Sequence, residues 1–198
     1  MKIFLSLLFL IFSLQSWVMA DDKIEDFEIQ GISIGDSLLD HFTLKDINKA
    51  FKNASYYKNK KYAEIFLETE KINFENLEKL QVAIEPNNKK YIIEKILLSR
   101  NFDNEIEECK IFKKNFISYN SDFLINAERI DHNTSATVDK TGNSFRYIST
   151  FLLPTGGFFN FVCTDYGKEM YEQHGWYDNF TISIGSDKIL KFLQGDPH

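Results

Sequence analysis

A chain of 198 residues, 43% apolar and 26% charged, is long enough for one sizeable domain and too apolar for wholesale disorder. A formal net charge of −6, with three arginines among 23 basic residues, argues against a nucleic-acid partner, which calls for clustered cations and guanidinium forks. Nineteen Phe, nine Tyr and two Trp supply the large side chains of a substantial core, but composition names no reaction.

The chain opens with Met1-Lys2 and an apolar run from Ile3 to Leu14, interrupted only by Ser6 and Ser13. Val18-Met19-Ala20 then precede Asp21-Asp22, the pattern of a secretory signal peptide cut after Ala20. The run is shorter than the roughly 20 residues that span a bilayer. Residues 21–198 are therefore expected to form a single exported domain, periplasmic or secreted, with no transmembrane segment once the leader is removed. Cleavage takes one lysine and no acid, leaving the exported chain more negative still.

Beyond the leader, Gly31-Ile32-Ser33-Ile34-Gly35 leads to a helix start at Asp36-Ser37, with Leu38, Leu39 and Phe42 as its apolar face. Thr43 and Asp46 form a capping box ahead of Leu44, Ile47 and Phe51. The stretches Tyr62 to Thr69, Leu77 to Glu85 and Tyr91 to Ser99 are rich in β-formers, and Pro86-Asn87-Asn88 predicts a hairpin turn between the last two. Asp103 and Asn104 cap a further helix, with Asn104 and Glu107 as a second capping box. Ile106, Cys109, Phe112, Phe116 and Ile117 share one face of that helix.

Strands are then expected at Ala136 to Asp139, Ser144 to Leu153 and Phe158 to Thr164, with turns at 140–143 and 154–157. A short strand from Phe180 to Gly185 and a terminal helix capped by Ser186 complete the chain. The links between strands are too short for parallel crossovers. The order thus predicts an α+β fold, a mainly antiparallel sheet packed with about three to four helices. A helix followed by three strands occurs twice, which allows a pseudo-duplication over 31–100 and 101–198. The Lys-Lys pairs at 60–61, 89–90 and 113–114 read as solvated faces and turns.

Cys109 and Cys163 are the only cysteines, and an even count in an exported chain predicts a disulfide. Closing a loop of this length stabilises by about 4 kcal/mol in the chain-entropy model. The competing readings are two buried free thiols and a catalytic Cys163 paired with His174 or His132.

Two clusters could carry chemistry. Gly35-Asp36-Ser37-Leu38 spells the tetrapeptide of the GDSL esterase and lipase family, and the resemblance implies Ser37 as a nucleophile. That family's Asp-x-x-His and Gly-x-Asn-Asp blocks are absent, and its parallel α/β layering differs from the antiparallel order predicted here. A serine without a positioned base is a poor nucleophile, so the same residues read more simply as a glycine turn and a cap. No catalytic residue is predicted, and a Ser37 esterase is the alternative function. The second cluster is Asp165, Tyr166, Tyr171, Trp176, Tyr177 and Asp178, with His174 among them. Aromatics beside carboxylates can stack on sugars or grip cations, which makes a small-ligand carrier the second alternative, or they can staple the loop to the core. Four dispersed histidines without metal-ligand spacing suggest no metal and no cofactor.

The Gly-Ile-x-Ile-Gly-x-Ser segment leading into a helix resembles small outer-membrane assembly lipoproteins, without their lipid-modified cysteine. Together with Phe159-x-Phe161-Val162-Cys163-Thr164-Asp165-Tyr166, the chain resembles secreted or periplasmic proteins of marine alphaproteobacteria with AT-rich genomes. That resemblance implies export and a two-cysteine layout but no activity. The expected function is a non-catalytic envelope protein that binds or scaffolds, with an envelope protein or a small molecule as its partner.

Overall fold

The computed structural model describes residues 23–29, 31–57, 59–68, 77 and 79–195. The leader with its cleavage site, Thr69 at the end of the first expected strand, and the final Asp196-Pro197-His198 lie outside them. The described chain begins with a small hairpin, β1 (Glu28–Ile29) against β2 (Ile32–Ser33). Gly31 turns it at φ +79°, a backbone region that side chains with a Cβ resist. From Ser37 the expected amphipathic helix is only a 3-10 turn, Leu38–Asp40. Leu38 and Phe42 are buried while Leu39 is exposed. The chain then restarts at Thr43, whose Oγ1 accepts from Asp46 N while Asp46 Oδ2 accepts from Thr43 N. This is the predicted capping box, and it opens α1 (Leu44–Phe51).

Four strands follow: β3 (Ser55–Tyr56), β4 (Ala63–Leu67), β5 (Lys79–Ile84) and β6 (Ile93–Asn101). The β5–β6 hairpin is antiparallel as predicted, with a register shift between Ala83 and Ile84. In its turn Asn88 N donates to Glu85 O, and Asn88 Oδ1 accepts from Lys90 N. The second part of the chain comprises α2 (Ile106–Tyr119), α3 (Ser121–Leu124), β7 (Glu128–Ser135), β8 (Phe145–Leu152), β9 (Phe158–Asp165), α4 (Lys168–His174), β10 (Asn179–Gly185) and α5 (Asp187–Gln194). Ser186 caps α5 by accepting from Ile189 N at 3.2 Å, as predicted.

One strand is displaced from its expected place. Residues 136–139, with Ala136 and Val138, are a turn held by Asp139 N donating to Ala136 O. The strand is instead the polar segment before them, β7. All eight of its side chains are exposed, so it carries no buried alternation for a sequence reading to detect.

Eight strands form one antiparallel sheet in the order β3-β4-β5-β6-β10-β9-β8-β7. The fold is therefore α+β, with five α-helices among the described residues, slightly more than expected. The two meanders meet where β6 pairs with β10, from Asn101↔Asn179 to Lys95↔Gly185. Residues alternate faces along each strand, so Leu80, Leu98, Ile182 and Phe161 lie side by side on one face. That face carries the main core, to which the hairpin, α1 and α2 contribute Ile32, Ile47 and Cys109. Phe112 and Phe116 of α2 contact Phe180 and Phe161 at ring separations of 5.1 and 5.9 Å. On the opposite face α5 covers one end, with Ile189 against Tyr62, Ala83 and Phe158.

The Cys109–Cys163 disulfide is present, with Cα atoms 5.9 Å apart. It ties the buried face of α2 to β9, the helix-on-sheet junction that the two positions predicted.

Candidate functional site

Ser37 is committed to the fold. Its Oγ donates to Lys90 O at 2.7 Å and accepts from Leu39 N at 3.2 Å, while its backbone bridges to Ile92. His41 lies close by, but its Nε2 meets Asp36 Oδ2 at 3.2 Å, and that oxygen also accepts from Ser33 N. Among the described residues no hydrogen bond links this imidazole to Ser37. The tetrapeptide thus forms a turn, a cap and a clamp onto the β5–β6 connection.

The aromatic cluster is brought together largely through contacts among its own rings. Tyr166 meets Trp176 edge-on at 5.4 Å, His174 lies 5.3 Å from Trp176, and Tyr171 meets Tyr177 at 5.0 Å. A hydrogen bond with Tyr171 raises the Tyr177 pKa. Asp165 lies at the end of β9 opposite Phe145, and its charge helps raise the pKa of Asp178.

Asp178 is buried, and its Oδ1 accepts from Tyr166 N at 2.9 Å. Burial raises its pKa, against the lowering by the backbone N–H groups of Tyr166 and of Ile106, the first residue of α2. Asp178 therefore stands beside the N-terminus of α2 from a distant part of the chain. The capping box expected at Asn104 and Glu107 does not form: Asn104 takes φ +65°, and the cap residue Glu105 makes no side-chain cap hydrogen bond.

A concave feature rich in cations lies elsewhere, where α2 overhangs β7 and β8. This groove of about 440 Å³ is lined by Lys110, Lys113, Lys114, Arg129, Asp131 and Tyr147, among others. Helical spacing of three and four residues puts the three lysines along one side of α2, beside the apolar face that the disulfide anchors. The pairings Asn133↔Tyr147 and Asp131↔Ser149 set Arg129 and Asp131 on the same sheet face as Tyr147.

Lys113 Nζ donates to Tyr147 O at 2.9 Å. It is partly buried, and desolvation lowers its pKa. Lys110 Nζ stands 4.0 Å from the Tyr147 ring centroid and 2.7 Å from Glu107 Oε1, and that hydrogen bond raises its pKa. Arg129 grips Asp131 with two nitrogens, at 2.9 and 3.3 Å. Burial opposes ionisation of Asp131, but hydrogen bonds from Ser149 and Arg129 hold its carboxyl below the usual range.

Four cations thus converge around one carboxylate and one aromatic ring in a chain of net negative charge. In the sequence only Lys113-Lys114 hinted at this, and the pair reads there as a solvated face. Arg129 and Tyr147 reach the groove through strand pairing, which no local spacing reveals.

No family model matches the chain, and neither does any curated protein or solved structure. Among the described residues no group of three or more His, Cys, Asp or Glu is placed to hold a metal ion. No described helix is long and apolar enough to cross a membrane.

Proposed function

We propose that this chain is an exported, non-catalytic binding protein of the cell envelope or the medium, and that the α2–β8 groove receives an anionic group of its ligand or partner. The observation that carries the reading is the convergence of Lys110, Lys113, Lys114 and Arg129 on one groove of an acidic protein. A local cation cluster focuses potential where the molecule as a whole repels anions, and so selects an orientation as well as a charge. The leader-like N-terminus and the disulfide support export, since a bridge of this kind persists in an oxidising compartment. The commitment of the Ser37 hydroxyl to Lys90 O and Leu39 N favours binding over ester hydrolysis.

The test is a titration of the purified exported protein with citrate and, separately, pyrophosphate, followed by backbone amide NMR. Shifts concentrated at Lys110, Lys113, Arg129 and Tyr147, and weakened in Lys113→Gln/Lys114→Gln, are the expected outcome. Shifts elsewhere, or none with either anion, would overturn the groove assignment. Fluorophosphonate labelling that disappears in Ser37→Ala would overturn the non-catalytic part.

A further inference from the structure

The eight-stranded sheet has two edges, and they are finished differently. At one end β3 is two residues long, the short edge strand with which proteins commonly limit sheet extension. At the other end β7 runs for eight residues, pairs on one side with β8 in unbroken register from Glu128↔Leu152 to Ser135↔Phe145, and among the described residues has no neighbour in the sheet on its other side. It contains no proline, its pairing has no bulge, and every one of its side chains is exposed. Its outward N–H and C=O groups form a template for another strand.

Exposed apolar side chains flank the same strand in the sequence. Tyr119 and Ile125 precede it at 90% and 71% exposure, Ile130 lies on it at 43%, and Val138 follows at 56%. The order of charges along β7 then indicates which strand fits. A two-fold axis normal to the sheet keeps each face continuous, so a residue of one copy meets a residue of the same face in the other.

Centred on Ile130, the antiparallel pairing sets Arg129 opposite the partner's Asp131 on the face of the α2 groove. Glu128 stands opposite the partner's His132 on the other face, and Ile130 meets the partner's Ile130 between them. The Arg129–Asp131 and Glu128–His132 pairs each occur twice by symmetry, and the Ile130 pair lies once on the axis. Centring on Arg129 would set arginine against arginine, and centring on Asp131 would set acid against acid. Centring on His132 opposes the two histidines and leaves Arg129 against Ser135 and Asp131 against Asn133. Only the Ile130 register sets Arg129 opposite Asp131, so that the pair already bonded within each strand joins its counterpart in a four-membered network, and directly opposed charges are what most favour or penalise an antiparallel pair.

We propose that β7 is a self-association edge: a second copy of this chain pairs antiparallel with it about Ile130 and continues the sheet across a two-fold axis. The two α2 grooves then face each other across four strands, β8 and β7 of each copy. The contact is one strand wide, which suits a weak, concentration-dependent dimer. Dimerisation is read from mass alone, whereas the groove reading is tested by anion titration at Lys113, so either can fail without the other.

The test is sedimentation equilibrium of the purified exported protein up to high micromolar concentration, with charge reversals on β7. Wild type is expected to approach dimer mass. Arg129→Asp or Asp131→Arg alone sets two like-charge pairs across the junction and is expected to weaken association by about tenfold or more. Arg129→Asp with Asp131→Arg restores opposition and is expected to recover the dimer.

Oxidative crosslinking fixes the register: Ile130→Cys is expected to give a covalent dimer and His132→Cys is not. All of these side chains are exposed, and a thermal melt of each variant identifies any that has lost its fold. A wild type that stays monomeric throughout would overturn the proposal. So would a dimer indifferent to the reversals, or one crosslinked through His132→Cys in preference to Ile130→Cys.

Discussion

Asp139 shows how much one side chain can organise locally. Its carboxylate accepts from Ser144 Oγ at 2.6 Å and from Thr141 Oγ1 and N at 2.7 and 2.8 Å. Led by the Ser144 hydrogen bond, these donors lower its pKa to about 2. A carboxyl depressed in the folded state stabilises above its unfolded pKa, and that contribution is lost as pH falls through the folded value. The urea midpoint is therefore expected to fall between roughly pH 4 and pH 2, and to fall less steeply in Asp139→Asn. Tyr62 makes the opposite case. Its hydroxyl is buried without a hydrogen-bond partner among the described residues, and burial raises its pKa to about 12. Its ring meets Phe192 edge-on at 4.8 Å, a contact that phenylalanine retains. Removing an orphan hydroxyl relieves a desolvation cost, so Tyr62→Phe is expected to be neutral or to stabilise by about 1 kcal/mol in chemical denaturation.

Among the elements, α2 depends most on contacts far away in sequence. Its N-terminus stands beside Asp178, and its first turn is bound to β9 by Cys109–Cys163 across a separation of 54 residues. Asp178→Ala leaves the half-buried N–H of Tyr166 without its acceptor and is expected to cost about 1–3 kcal/mol. Asp178→Asn keeps an acceptor oxygen and is expected to cost less. Replacing both cysteines by alanine frees the loop and is expected to cost about 4 kcal/mol, read from the denaturation midpoint. Both elements of the disulfide were legible in the sequence, because helical spacing marked the face of Cys109 and β-forming residues marked the strand of Cys163. The start of α2 was misread, because Asn104 and Glu107 offer the right residue types for a capping box while the chain there turns through a left-handed backbone that takes them out of capping geometry.

For the molecule as a whole, the order of strands sets the order of protection. Strands β6 and β10 lie at the centre, where the two meanders join, and hydrogen exchange is expected to be slowest there and fastest at β3 and in the outward amides of β7. Concentration-dependent slowing confined to β7 would accompany the proposed dimer.

The sequence by itself determined the α+β class, the mainly antiparallel sheet and the α1 and α5 caps, and it favoured the disulfide that the structure shows. Each of these rests on local periodicity, local turn chemistry or a count of two cysteines. Only the tertiary structure decided that Ser37 caps a single 3-10 turn, that Asp178 accepts from Tyr166 N beside the start of α2, and that Lys113, Arg129 and Tyr147 share a groove. It also decided that the polar stretch Glu128–Ser135 is a strand. A fully exposed edge strand has no buried alternation to display, and strand pairing joins residues that no local spacing connects.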